Sequence, residues 1–188
     1  MAVVTALGSQ ALWAFGRGSG LVALVLLTAS VVLGVSARSG RPLPGLPRFA
    51  VTEVHRNVSL LASAFLGLHV VLLLFDPYAQ LRLFDLVLPF AGAYRPFWQG
   101  LGTVALDLMA ALVVTSLLRH RIGRRAWRAV HWASYGLWPV ALLHSLGTGT
   151  DGAAPWFLGV TALCVLAVFG ALGWRLSTRF SARREVRG

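Results

Sequence analysis

The sequence predicts an all-α fold, a polytopic membrane helix bundle of about five transmembrane helices. Three observations predict it. Mean hydropathy is +0.73 and only 12% of residues are charged, against about 25% in a soluble domain. Five apolar stretches approach the roughly 20 residues that cross a bilayer. All seventeen basic residues are arginine, mostly in short runs beside those stretches, as in cytoplasmic membrane loops.

The first span is expected over 18–37, which carries no charge. Residues 38–48 follow as a turn-prone linker with Pro42, Pro44, Gly45 and Pro47. The second span covers about 51–75, interrupted by Glu53, His55, Arg56 and His69, and Asp76-Pro77 stops it. Residues 76–98 form a long, half-apolar connection. Its 81–88 stretch is too short to span, so it lies along the interface or folds back over the bundle. The third span covers about 97–118 and contains Asp107; the basic connection 119–128 follows. The fourth covers about 126–146 with His131 and His144 inside, and the fifth about 156–174. The chain reads as one membrane domain over 1–188, with no soluble flavin or nicotinamide domain. Gly16-Arg17-Gly18-Ser19-Gly20 neither follows a strand nor sits in a βαβ unit, so it is no dinucleotide fingerprint.

Fourteen arginines fall on one side of a five-span arrangement, leaving Arg17, Arg82 and Arg95 on the other. The positive-inside rule puts the larger set in the cytoplasm, the N-terminus outside and the C-terminus inside. Spans two and four then run in parallel from inside to outside, in a membrane that is most simply the bacterial cytoplasmic one. The net charge of +11 is distributed like membrane anchoring, which argues against a nucleic-acid partner. Residues 1–16 lack a basic leader region, so no cleavable signal is expected. Cys164 stands alone in an apolar segment and reads as a small buried hydrophobe.

Chemistry concentrates in four histidines. His55 and His69 are fourteen residues apart, and His131 and His144 thirteen. Intramembrane ionisable groups are costly and usually face a bundle interior. Parallel spans put His55 level with His131 and His69 level with His144, with roughly 20 Å between the levels. Imidazole is a standard axial ligand of haem iron, so the layout suits two stacked haems. On an ideal helix His55 and His69 share a face, about 40° apart. Ser59 and Ala62 lie between them and Gly67 near the second, small residues that admit a flat macrocycle. His131 and His144 are about 140° apart on an ideal helix, with Gly136 and Pro139 between them to distort it.

Other polar residues carry two readings each. Arg56 and Arg128 beside the inner histidines pair with haem propionates or simply anchor the cytoplasmic end. Asp107 is a proton carrier or acceptor-site residue, or it bonds Arg95 near the interface. His120, between Arg119 and Arg121, reads as an exposed loop residue. Trp98, Trp127, Trp132, Trp138 and Trp156 read mostly as an interfacial belt.

The layout of His55/His69 and His131/His144 resembles the ferric reductase-like transmembrane domain, the haem membrane domain of ferric reductases and NADPH oxidases. The resemblance covers about residues 18–175. His69-Val70-Val71 leading to Asp76-Pro77-Tyr78, and Trp127-Arg128-Ala129-Val130-His131-Trp132, look like its bacterial members. It implies b-type haem held by His55 with His131 and by His69 with His144, and electrons moving from the cytoplasm outward. Many members have six spans against the five counted here. The resemblance therefore implies an electron-transfer subunit of an oxidoreductase. Flavin enters only through a partner. A flavoprotein or quinol is the donor, and an acceptor waits at the periplasmic or extracellular face. The competing reading is a haem-free membrane scaffold or small transporter using the histidines and Asp107. Reversible haem handling is a third.

Overall fold

A computed structural model describes the backbone of residues 2–38 and 47–185, and the side chains of 10–37, 47 and 49–177. Most of the proline-rich linker (Arg41, Pro42, Pro44, Gly45) and the tail residue Arg187 lie outside the described residues, as do the side chains of Arg38, Arg48, Arg179, Arg183 and Arg184. The described chain is a bundle of helices: α1 (Ala2–Arg38), α2 (Arg48–Leu74), α3 (Pro96–Leu117), α4 (Arg119–His131), α5 (Ser134–Thr148) and α6 (Pro155–Glu185). Four of them, over Gln10–Ala37, Phe49–Leu74, Pro96–Leu117 and Pro155–Ser177, are long and apolar enough to cross a membrane. The protein is a multi-pass helical membrane domain.

Helix is the expected answer for such a chain, because a backbone in lipid must satisfy its own polar groups. The hydroxyls inside the apolar helices do the same. Thr28 donates to Leu24 O (2.8 Å), Ser36 to Val32 O (2.8 Å), Ser63 to Ser59 O (2.9 Å) and Thr161 to Phe157 O (3.0 Å). Each returns its proton to the preceding turn of its own helix.

Helix ends follow local chemistry. Extended Pro47 (φ −68°, ψ 153°) opens α2. After Leu74 the chain turns at Asp76, whose Oδ1 accepts from Tyr78 N at 2.9 Å. The half-apolar connection contacts α3, which fits folding back, one of its two expected alternatives. Its 3₁₀ turn (Leu83–Leu86) is tied to α3 by Thr103 Oγ1, which donates to Asp85 O at 2.7 Å, while Leu83, Phe84 and Val87 stay exposed. Pro96 occupies the first turn of α3 and Pro155 that of α6.

The expected span over 126–146 is not one uniform helix. Gly123 (φ 79°, ψ 161°) breaks α4 near its start, a backbone region open essentially to glycine alone. Between α4 and α5, the N–H groups of Ala133, Tyr135 and Gly136 donate to carbonyls three residues back, on Val130, Trp132 and Ala133 (2.8, 3.1 and 2.9 Å). This is 3₁₀ winding, at about 120° per residue instead of about 100°. Three or four such residues add roughly 60–80° of rotation. The ideal-helix gap of about 140° between His131 and His144 shrinks to roughly half that. The over-wound joint, together with Pro139 inside α5, brings the second pair toward one face.

α1 packs against α2, α5 and α6, and α3 against α4 and α5. The core gathers Leu27, Ala105, Leu112, Leu137, Trp138, Cys164 and Val168. Cys164 is buried and free, as its apolar setting implied. Trp138 corrects its belt assignment. It is 6% exposed, and its Nε1 donates to Thr28 Oγ1 at 2.9 Å. Trp132 and Trp156 remain exposed, as a belt requires.

Lipid is as apolar as leucine, so core packing here stabilises through contact and cavity terms. Leu137, only 1% exposed, should cost about 2 kcal/mol when cut to alanine. Leu163→Ala, on an exposed face (68%), should be near neutral. Thermal melting of the two variants in one detergent checks the contrast.

Candidate functional site

The bundle brings the four histidines together as two pairs. The His55 and His131 rings lie 6.5 Å apart between centroids with planes at 84°, and the His69 and His144 rings 6.5 Å apart at 80°. Two pairs in the same chain order mean that α2 and the α4–α5 segment run in parallel, with matching depths. The fourteen-residue separation along α2 amounts to about 21 Å.

Three of the rings are held the same way. His55 Nδ1 donates to Ser30 O at 2.9 Å, His69 Nδ1 to Gly16 O at 2.6 Å and His144 Nδ1 to Trp98 O at 2.8 Å. A carbonyl only accepts, so each Nδ1 carries the proton and each Nε2 keeps its lone pair. Thr148 Oγ1 also lies 3.2 Å from His144 Nδ1. His131 is braced differently. Trp127, one turn earlier, stacks on it at 4.8 Å and 24°, and Trp127 Nε1 reaches Ser116 Oγ on α3 at 3.4 Å.

A cavity of about 450 Å³ opens beside the His69–His144 pair, walled by Leu24, Ala62, Leu66, Leu106 and Leu137. Its rim carries Arg17, which ion-pairs with Asp151 and lies 4.1 Å over the Trp13 ring. Arg95 donates to Gly147 O at 2.7 Å and ties α3 to the end of α5. Among the described residues, no three His, Cys, Asp or Glu side chains converge as a metal site. Each histidine pair therefore offers two imidazole nitrogens as ligands. Two nitrogens per pair fit a metal centre that brings most of its own ligands, such as a haem.

Several expected residues fall elsewhere. Asp107 is exposed on α3 and does not line the cavity, and Arg95 turns to Gly147, not to it. Gly67 is exposed with open space around it and does not line the cavity. Ala62 does line the cavity at 1% exposure. Ser59 bonds Ser30 Oγ at 2.7 Å, joining α2 to α1. Arg56 is exposed beside Glu53 on its own helix (3.3 Å), Arg128 is exposed on α4, and His120 is exposed as its flanks implied.

Sequence reasoning missed the partners on α1 and α3: Gly16, Ser30 and Trp98. A signal was present. Gly16 and Ser30 are fourteen residues apart, the spacing of His55 and His69 on the antiparallel neighbour. The glycine cluster dismissed as a nucleotide fingerprint supplies one of these carbonyls.

The chain matches the family described as "Ferric reductase like transmembrane component" over residues 19–142. No curated protein and no solved structure matches it.

The Arg17–Asp151 contact is partly buried, at 22% and 33% side-chain exposure. Arg17→Gln and Asp151→Asn should each lower the melting temperature. The double variant should lose less than the sum, with a coupling of about 1 kcal/mol. A double-mutant cycle in detergent measures it, and additive losses would remove the pair from the rim's stability.

Proposed function

We propose, from the premise that the chain belongs to the ferric reductase-like transmembrane family, that it conducts electrons across a membrane through two b-type haems. The observation that carries this reading is the pair of 6.5 Å histidine couples whose anchored rings leave Nε2 open. Each pair of rings would hold a haem through one nitrogen apiece, and the 6.5 Å between ring centroids leaves room for a metal between them. The cavity at the outer pair supports the same fit: its walls are apolar and its rim is charged.

His55 and His131 hold the inner group, and His69 and His144 the outer. The bound iron supplies one-electron chemistry by cycling between ferric and ferrous states. The protein contributes position, ligation and dryness. The carbonyls of Gly16, Ser30 and Trp98 orient three ligands and raise their basicity. Leu24, Leu66, Leu106 and Leu137 keep water from the outer pair. Arg56 and Arg128 carry positive charge beside the inner pair in sequence, where they would meet the propionates of a bound haem by charge-assisted hydrogen bonds. Asp107 takes no role in this reading, because it is exposed away from the cavity.

The arginine-rich end that carries His55 and His131 faces the cytoplasm. Electrons enter there from a flavoprotein or a quinol and leave past the outer pair to an acceptor at the far face. The chain is then the membrane subunit of a reductase in a bacterial cytoplasmic membrane.

Purified protein should show reduced-minus-oxidised b-type bands and about two haems per chain by pyridine haemochrome. His69→Ala or His144→Ala should leave about one. Colourless protein after expression with added haem would sink the conduit reading and favour the scaffold or transporter.

A further inference from the structure

The three carbonyls that receive histidine protons share a feature. Four residues after Gly16 comes Gly20, after Ser30 comes Gly34, and after Trp98 comes Gly102. In each case the glycine faces the same ring that its carbonyl holds. A Cβ built on Gly20 would lie 2.8 Å from His69 Cε1 and Nδ1. On Gly34 it would lie 3.2 Å from His55 Cε1, and on Gly102 2.5 Å from His144 Cε1.

The geometry has a simple cause. Inside a helix the carbonyl of residue i accepts from the N–H of residue i+4 and keeps a second lone pair, which at Gly16 the Ser19 hydroxyl shares (2.8 Å). The side chain of residue i+4 stands over that lone pair's approach. Only its removal lets a flat ring from a neighbouring helix come close enough to donate. The coincidence occurs three times, on two different helices and for rings from two others. Several other glycines in the bundle, Gly18, Gly67 and Gly136 among them, have nothing within 4 Å of a built Cβ.

We propose that Gly20, Gly34 and Gly102 are positioning residues. Each forms a notch that admits one histidine to the carbonyl four residues earlier, and so fixes the proton on Nδ1 and aims Nε2 into the site. His131 stands apart. It meets Trp127 as a stacking plate, so the inner pair has one notched ligand and the outer pair two. Alanine at a notch pushes the ring off its carbonyl without touching the ligand itself. The tightness of fit sets the order of effect: Gly102 first, then Gly20, then Gly34, where a shift of a few tenths of an ångström relieves the contact.

This proposal rests on the haem reading for its redox consequences, but not for the hydrogen bonds. Two measurements on the full-length chain separate the two. Nitrogen-15 NMR of histidine-labelled protein, prepared without added haem, reads the tautomer directly. His55, His69 and His144 should be protonated on Nδ1, and mixed or Nε2–H tautomers in the unaltered protein would overturn the notches without any variant. Haem titration and redox potentiometry then compare Gly20→Ala, Gly34→Ala and Gly102→Ala with Gly18→Ala and Gly67→Ala.

Loss of an outer hydrogen-bond partner typically weakens metal affinity by roughly 10–100-fold. That loss should fall on the outer pair for Gly20→Ala and Gly102→Ala, and on the inner pair for Gly34→Ala. Where haem is retained, the midpoint potential of that pair should rise, because a less basic imidazole stabilises ferric iron less. Notch variants that behave like the Gly18 and Gly67 controls would overturn the proposal while leaving the haem reading intact. A correct tautomer in a protein that takes up no haem would do the reverse.

Discussion

The bond from a histidine Nδ1 to a helix carbonyl is the constraint on which the rest of this structure depends. An imidazole inside a membrane must place its N–H somewhere, because no water is there to take it. The helices around it have already used each carbonyl once, but a carbonyl has a second lone pair. The bundle uses that spare capacity three times. His55 and His69 dock on α1 through Ser30 and Gly16, and His144 docks on α3 through Trp98. One bond satisfies a buried donor, fastens one helix to the next and leaves the other ring nitrogen as a ligand.

The consequences spread through the packing. α1 must run antiparallel to α2 with both carbonyls in register, and it becomes the element against which α2, α5 and α6 all pack. Hydroxyls share these positions: Ser19 also donates to Gly16 O (2.8 Å), Thr148 Oγ1 lies 3.2 Å from His144 Nδ1, and Ser59 bonds Ser30 Oγ at 2.7 Å. Trp138 reaches from α5 to Thr28 on α1 with its only polar atom satisfied. Some polar groups join helices while other hydroxyls bond within their own, and the walls of the outer cavity are mostly apolar.

The second histidine segment shows how a local irregularity serves a distant requirement. Thirteen residues of ideal α-helix turn His131 and His144 well apart. The bonds from Ala133, Tyr135 and Gly136 to carbonyls three residues back wind the joint more tightly. The extra rotation carries His144 round toward its partner on α2. A regular helix of that length would have placed one histidine against lipid, where an unpaired imidazole has no partner.

The sequence by itself determined that the chain is a helical membrane bundle, placed α2 and α3 closely, and singled out four histidines that the fold brings together as two pairs. Those properties follow from composition and spacing, which act locally along the chain. It missed that α1 starts well before 18 and that the 126–146 stretch is split between α4 and α5. The shared face of His55 and His69 was legible because α2 is regular. The partners Gly16, Ser30 and Trp98 were not, although the fourteen-residue echo on α1 was there to read. Nothing in a sequence says which carbonyl a ring will meet until two helices are docked. The exposure of Asp107 and Gly67 and the burial of Trp138 were likewise decided by tertiary structure. The reason is common to all of them. A helix position has a fixed direction only relative to its own axis, and the rotation of each axis is set by the neighbours it packs against.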